Sequence, residues 1–388
     1  MRDVYFDYGA TTPPRSEVVE AMLPFLREHF GNPQSLHRYG EAPREAIEDA
    51  RGKVAELIGA RSNEIYFTAS GSEANNLAVK GVALMNRQRG KHIVVSAVEH
   101  LSVINAARTL EKLGFEVTQI PVDKYGLVDP ADVEKVLRED TTLVSVMHAN
   151  SEIGTIQPVA EVAKLVKERT KAYFHTDAVA TVGRIPVDVK ELGVNLLSLA
   201  ADQFYGPKGT GALYIKRATR IMPLIDGGIQ EAGRRAGTEN VPGIVGLGVA
   251  AQLAAEDMEQ RRDHVIPLRD ALIKFLTNEI DKVHLTGHPT RRLPGHVSVV
   301  VEFIEGESML LLLNMQGVAA SSGSTCTSKA LKASHVLTAI GIDPGLANGS
   351  LLLTLGRGNS MEEVDYFQEV FPPIVDRLRQ MSPLYKEA

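Results

Sequence analysis

The strongest constraint on the fold is a regular alternation of strand-like and helix-like segments. Short runs rich in β-branched and aromatic residues recur as NEIYFTAS (63–70), HIVVSAVEH (92–100), TTLVSVMHAN (141–150), AYFHTDA (172–178), NLLSLA (195–200) and GALYI (211–215). Between them the apolar spacing changes to three and four, as at Val159, Val162, Ala163 and Val166, which is the stripe of an amphipathic helix. Strands apolar on both faces, each followed by a helix, predict an α/β fold around a mostly parallel sheet. After about residue 255 the pattern changes: a long charged helix (254–280) leads to the strand-like HVSVVVEFIEG and then to further helices. A chain of 388 residues exceeds one compact core, so a large domain with a smaller α+β C-terminal domain is expected.

Composition narrows the partners. Apolar residues make up 44% and charged residues 23%, the balance of a soluble globular protein. The net charge of -6 comes without basic runs, which argues against nucleic acid and anionic membranes as partners. The N-terminus lacks the pattern of a signal peptide and no stretch is apolar enough to span a bilayer, so a cytoplasmic protein is expected. One cysteine, Cys326, excludes an internal disulfide and fits a reducing compartment.

Chemistry concentrates in a few places. In TASGSEANNLAVKG (68–81) a strand ends in Ser70, Gly71 and Ser72 as a helix begins, a junction whose free N–H groups and dipole suit a phosphate, or where a serine simply caps the helix. Polar residues close several strands: His100, Asn150 with Ser151, and Asp177. Each alone reads as a cap, but ligands of open α/β sheets bind at those strand ends, and their shared placement carries the signal. Cys326 is flanked by Ser321, Ser322, Gly323, Ser324, Thr325, Thr327 and Ser328, a composition foreign to a core. A lone thiol there suits a mobile nucleophile, a persulfide carrier or a metal ligand.

Taken in order, YFDYGATTP, HFGNPQSLHRYG, FTASGSEANN, SAVEHLSV, NSEIGTIQPV, HTDAVATVG, YGPKGTGALYI, GRRAGTENVP, SSGSTCTS and LLLTLGR span nearly the whole chain. They resemble the cysteine desulfurases of iron–sulfur cluster assembly, in the class V aminotransferase group of pyridoxal-phosphate enzymes of fold type I. The resemblance implies a homodimer with active sites at the subunit interface, and a scaffold protein as partner. It implies a large domain over 15–255 and a small domain formed by 1–14 and 256–388 that carries the cysteine loop 320–333. The cofactor pocket would be lined by His100 stacked on the ring, Asp177 on the ring nitrogen, and Ser72 with Thr238 at the phosphate. Asn32 and Arg357 would hold the substrate carboxylate, and Cys326 would take the sulfur as a persulfide.

The same resemblance exposes departures. Where the family has Ser, any residue, His and the Schiff-base Lys, this chain has Ala200, Ala201, Asp202 and Gln203. Ser151 and Ala180 stand where an asparagine and a glutamine bond the cofactor's phenolic oxygen. Each charge-assisted hydrogen bond lost is worth roughly 1.5–3 kcal/mol, and the lysine's general-base step alone is worth about 10²–10⁴ in rate. Gln203 cannot form an imine, and Lys208 belongs to the GPKG turn rather than the anchor position. The expectation is a protein with pyridoxal phosphate absent or weakly bound. In it Cys326 acts as a sulfur acceptor fed by inorganic sulfide, or as a ligand of a [2Fe–2S] cluster shared with the scaffold, whose three cysteines leave one site open. The alternative is an active cysteine desulfurase holding its cofactor non-covalently. A different pyridoxal-phosphate reaction would also want the lysine and would leave the cysteine loop unused.

Overall fold

The computed structural model describes residues 3–323 and 333–385. Its strands, in chain order, are β1 (Val4–Tyr5), β2 (Ile65–Thr68), β3 (His92–Ser96), β4 (Glu116–Ile120), β5 (Thr141–Ser145), β6 (Tyr173–Asp177), β7 (Leu196–Ala200), β8 (Gly211–Ile215), β9 (Val283–Leu285), β10 (His296–Val301), β11 (Val318–Ala319) and β12 (Ser350–Thr354). A seven-stranded sheet runs β2-β8-β7-β6-β5-β3-β4. Only β8 is antiparallel to its neighbours, so the sheet is mixed but mostly parallel, as the alternating pattern predicts. Helices cover both faces, and β3, β5, β7 and β8 are buried along their whole length.

One apolar core lies on each face of that sheet. Val144, Phe174, Leu197 and Leu199 pack on one side, and Ile93, Val95, Leu143 and Leu196 face the helices Gly71–Asn86 and Leu101–Glu111 on the other. Strand β4 was not visible in the sequence because it is an edge strand, with Glu116 and Gln119 exposed.

A further core gathers around the antiparallel sheet β12-β10-β9 and the parallel pair β1-β11. Phe6, Val299, Leu353, Phe367 and Phe371 are its centre. The pattern change near residue 255 falls inside one continuous helix, Val241–Asn278, of 38 residues. Its first half contributes Leu247, Ala251 and Ala254 to the large sheet's core, and its second half contributes Val265, Leu268, Leu272 and Leu276 to the other. Among the described residues no helix is long and apolar enough to cross a membrane.

Candidate functional site

Asp177 ends β6, whereas His100 and Asn150 lie four and five residues past the ends of β3 and β5. His100 caps the helix Leu101–Glu111, and its Nδ1 accepts from the Ser102 N–H (3.1 Å) and meets the Ser102 hydroxyl (2.7 Å). With a main-chain N–H donating to Nδ1, the proton of the neutral ring sits on Nε2. The chain of contacts continues through Asn75, whose Nδ2 donates to Ser102 Oγ (2.8 Å) and to Asp177 Oδ2 (2.6 Å). Asp177 Oδ1 accepts from the Val179 N–H at 3.0 Å. His100 and Asp177 are therefore tied together across β3 and β6 by two intermediate side chains. Asn75 and Ser102 were not picked out on sequence, although both lie in the motifs that flank the strand ends.

His100 opens onto a cleft that it shares with Asn150, Ser151, Glu99, Glu152, Gly323 and Ser334. Glu99 is fully buried. Its Oε1 accepts from the Met147 N–H (2.6 Å) and the Ser96 hydroxyl (3.1 Å), while Oε2 has no partner among the described residues. Burial, with Asp177's charge nearby, pushes its carboxyl up to about 8. Glu152 accepts from the Ser334 hydroxyl at 2.7 Å and is raised to about 7, again by burial. Neither acid was singled out on sequence, where a carboxylate next to a strand reads as solvated; the clue available was Glu99 in an otherwise apolar run.

Gln203 faces a different cavity, lined also by Tyr8, Arg184, Tyr205 and Arg357, which shares no lining residue with the His100 cleft. Its Oε1 accepts from Arg184 Nη2 (3.0 Å) and its Nε2 donates to the Ala10 carbonyl (3.2 Å). Arg184 also donates from Nε to the Gln203 carbonyl (3.2 Å) and from Nη2 to the Tyr8 carbonyl (2.6 Å). The amide is thus fixed at both ends. Asp202 is half-buried, with its carboxyl raised by burial.

The remaining predicted residues are dispersed. Ser70, not Ser72, caps the helix Gly71–Asn86, accepting from the Glu73 N–H at 3.1 Å; Ser72 is exposed on its first turn. Thr238 and Asn32 are exposed, on loops joined by a hydrogen bond from Gln34 to Glu239 (2.9 Å). Arg357 is exposed, its N–H donating to the Tyr205 hydroxyl at 2.8 Å. Ala180 and Ala200 are buried, and Lys208 is exposed. Cys326 lies outside the described residues, and among the described ones no group of three or more His, Cys, Asp or Glu side chains could hold a metal ion.

A pyridoxal phosphate would find Asp177 for its ring nitrogen and His100 for its face. It would find no amine at position 203, where an amide nitrogen is not nucleophilic and is already hydrogen-bonded, and no hydroxyl at Ala200. The residues present do not fit a lysine-anchored cofactor.

Known proteins agree with this fold. The family model described as aminotransferase class V matches residues 4–367. The chain is 54% identical to the cysteine desulfurase IscS of Methanosarcina thermophila over 381 residues, 98% of this chain and 94% of that protein. It is 52% identical to the cysteine desulfurase IscS of Dictyoglomus turgidum over 386 residues, 100% and 98% of the two chains. A solved structure titled as a NifS-like protein superposes with a TM-score of 0.90 at 39% identity, covering 97% of this chain and 99% of that one. The chain belongs to the class V aminotransferase family of fold type I, a pyridoxal-phosphate-dependent family, within its cysteine desulfurase branch.

Proposed function

We propose that this protein serves iron–sulfur cluster assembly in the cytoplasm through the Cys326 thiol, with pyridoxal-phosphate catalysis lost. The observation that carries this reading is the amide at 203, held between Arg184 and the Ala10 carbonyl at the position the family gives to its lysine. The missing hydroxyl at Ala200, the altered donors at Ser151 and Ala180, and the added carboxyl at Asp202 point the same way. Ser72, His100, Asp177 and Thr238 would then form a vestigial or weak cofactor pocket, and Asn32 with Arg357 would be the remnant of a substrate-carboxylate site. The names of the curated relatives support the assembly role.

Of the two roles open to Cys326, ligation of a [2Fe–2S] cluster shared with a scaffold protein is the simpler. Making a persulfide from a thiol and inorganic sulfide removes two electrons and needs an oxidant, whereas a thiolate ligand needs only deprotonation. The protein and a three-cysteine scaffold, reconstituted anaerobically with iron and sulfide, should show the absorption of a bound cluster. A Cys326→Ser variant should lack it, and an unchanged spectrum in that variant would remove the ligand role.

A second reading, an active desulfurase with non-covalent cofactor, draws on the intact contacts from His100 through Ser102 and Asn75 to Asp177. It predicts yellow protein that converts L-cysteine to L-alanine when pyridoxal phosphate is added. Colourless, inactive protein rejects it.

A further inference from the structure

Two places far apart in sequence meet at the Glu152 carboxyl. Glu152 lies in the turn after β5, where its main chain is fixed: Asn150 Oδ1 accepts from the Glu152 and Ile153 N–H groups (both 2.9 Å), and Asn150 Nδ2 donates to the Val98 carbonyl (2.9 Å). The residue is only 8% exposed. Its Oε2 accepts from the Ser334 hydroxyl at 2.7 Å, while Oε1 is buried without a hydrogen-bond partner among the described residues.

Gly323 lies over the other side of this carboxyl. Its φ is +62°, and a Cβ there would stand 2.4 Å from Glu152 Cγ and 3.0 Å from Oε1, so a glycine is what lets the chain pass this close. The residues leading to it are tied to β12: Ser321 exchanges two main-chain hydrogen bonds with Leu352 (3.1 and 2.7 Å), and the Ser350 hydroxyl donates to the Ser322 carbonyl (3.0 Å). Ser334 caps the helix His335–Ala339, accepting from the Val336 and Leu337 N–H groups (3.1 and 3.3 Å), and His335 Nε2 donates to the Glu99 carbonyl (2.9 Å). Gly323 and Ser334 stand on either side of residues 324–332, which include Cys326.

We propose that Glu152 is a positioning residue for the Cys326 thiol, a carboxyl against which both ends of the stretch bearing that thiol are seated. The proposal rests on Cys326 being the working group of the protein, and not on whether that thiol ligates a cluster.

Charge decides how firmly the ends sit. Burial raises the Glu152 carboxyl to about 7, and the Ser334 hydroxyl offsets this only in part. No lysine or arginine lines the cleft. Glu99 is raised to about 8, while burial holds His335, and His296 behind the Ser151 carbonyl (3.2 Å), below the usual histidine range, so these three are uncharged at pH 7. His100 turns its Nδ1 to Ser102, and Arg292 donates to the Ile153 carbonyl. The seat is therefore strongest below about pH 4.5, where the acid is neutral whether seated or not, and weakens until the seated acid ionises near 7.

Hydrogen exchange of the full chain at Val336 and Leu337, corrected for intrinsic rates, tests the seat. Relative to Glu152→Gln, whose amide copies the neutral acid and keeps an acceptor for Ser334, the parent's opening constant should rise roughly tenfold from pH 6 to pH 8. Gly323→Ala, which drives a methyl group into Glu152, should raise opening at 336–337 at both pH values. The only thiol reports the consequence: its alkylation rate by iodoacetamide, taken as the ratio of parent to Glu152→Gln, should rise between pH 6 and pH 8. None of these readouts needs a cluster or pyridoxal phosphate, so a failed cluster reconstitution leaves them standing. Equal pH dependence of exchange in the parent and Glu152→Gln, exchange unmoved by Gly323→Ala, or a constant alkylation ratio overturns the proposal.

Discussion

At the scale of a residue, Glu99 carries a pH signature set by its burial. Its carboxyl titrates near 8 in the folded chain because burial favours the neutral form, against an ordinary value of 4.5 once exposed. The folded state therefore binds more protons than the unfolded one between these limits. The stability associated with this proton is fully present below about pH 4.5 and is lost as pH rises through 8. Glu152, raised to about 7, acts with the same sign. Glu99→Gln keeps the shape and removes the charge. It should raise Tm at pH 8.5 by a few degrees, each kcal/mol being worth about 2–4 °C in a domain of 150–250 residues. The gain should shrink steadily toward lower pH and be gone below about pH 4. Thermal scans of both proteins across this range check it, and equal gains at both ends would mean that ionisation is not the cause.

At the scale of an element, the turn around Gln230–Gly233 shows how local strain is offset by tertiary contact. Glu231 and Ala232 both sit in the left-handed region, at φ 45° and 53°, which costs roughly 1–2 kcal/mol per L-residue. In return the buried Glu231 carboxylate takes both Nη groups of Arg51 (2.8 and 2.9 Å) and the Phe67 N–H (2.7 Å). Arg51 also lies over the Phe67 ring, 4.7 Å from its centroid. Ala232→Gly, at an exposed position, should stabilise the protein by up to about 1 kcal/mol. Glu231→Ala, which leaves the buried Arg51 guanidinium with only the exposed Glu48 as counter-ion, should destabilise it by up to about 3–5 kcal/mol. Urea unfolding reads both, and a neutral Glu231→Ala would show that the ion pair adds nothing.

Elements of this kind also mark how far sequence carries. Runs such as HIVVSAVEH and AYFHTDA were legible because strands buried on both faces must be apolar nearly throughout, and that same rule hid the edge strand Glu116–Ile120. Asp177 was legible as the polar residue closing an apolar strand, and His100 as the polar residue between an apolar strand and the next helix. Arg184 was not: it is one arginine in a turn, and its partners Tyr8 and Gln203 are remote from it in sequence, so only the fold brings them together. Glu99 and Glu152 were hidden for another reason, since sequence does not show that a carboxylate is enclosed.

For the whole molecule, the exposed apolar side chains indicate where a second copy would dock. Phe30, Leu36 and Ile229 are 74%, 93% and 80% exposed. They belong to the same loop regions as Asn32 and Thr238, and the family resemblance implies active sites at a subunit interface. Beside them Glu239 Oε2 and Arg234 Nη1 are buried without a hydrogen-bond partner among the described residues. Ile229→Asp together with Leu36→Asp should turn a dimer into a monomer, as read by sedimentation. A parent protein that already sediments as a monomer would remove the two-fold arrangement from the proposed function.

The Val241–Asn278 helix has a consequence for how the molecule comes apart. At 1.5 Å per residue it is a strut of about 57 Å, and fraying either half withdraws side chains from its own core and frees the end from which the other half continues. The two cores should therefore melt as one cooperative unit, giving a single calorimetric peak instead of the paired transitions of beads on a tether. A glycine pair placed near Glu256, midway along the strut, should be the change that splits that peak in two.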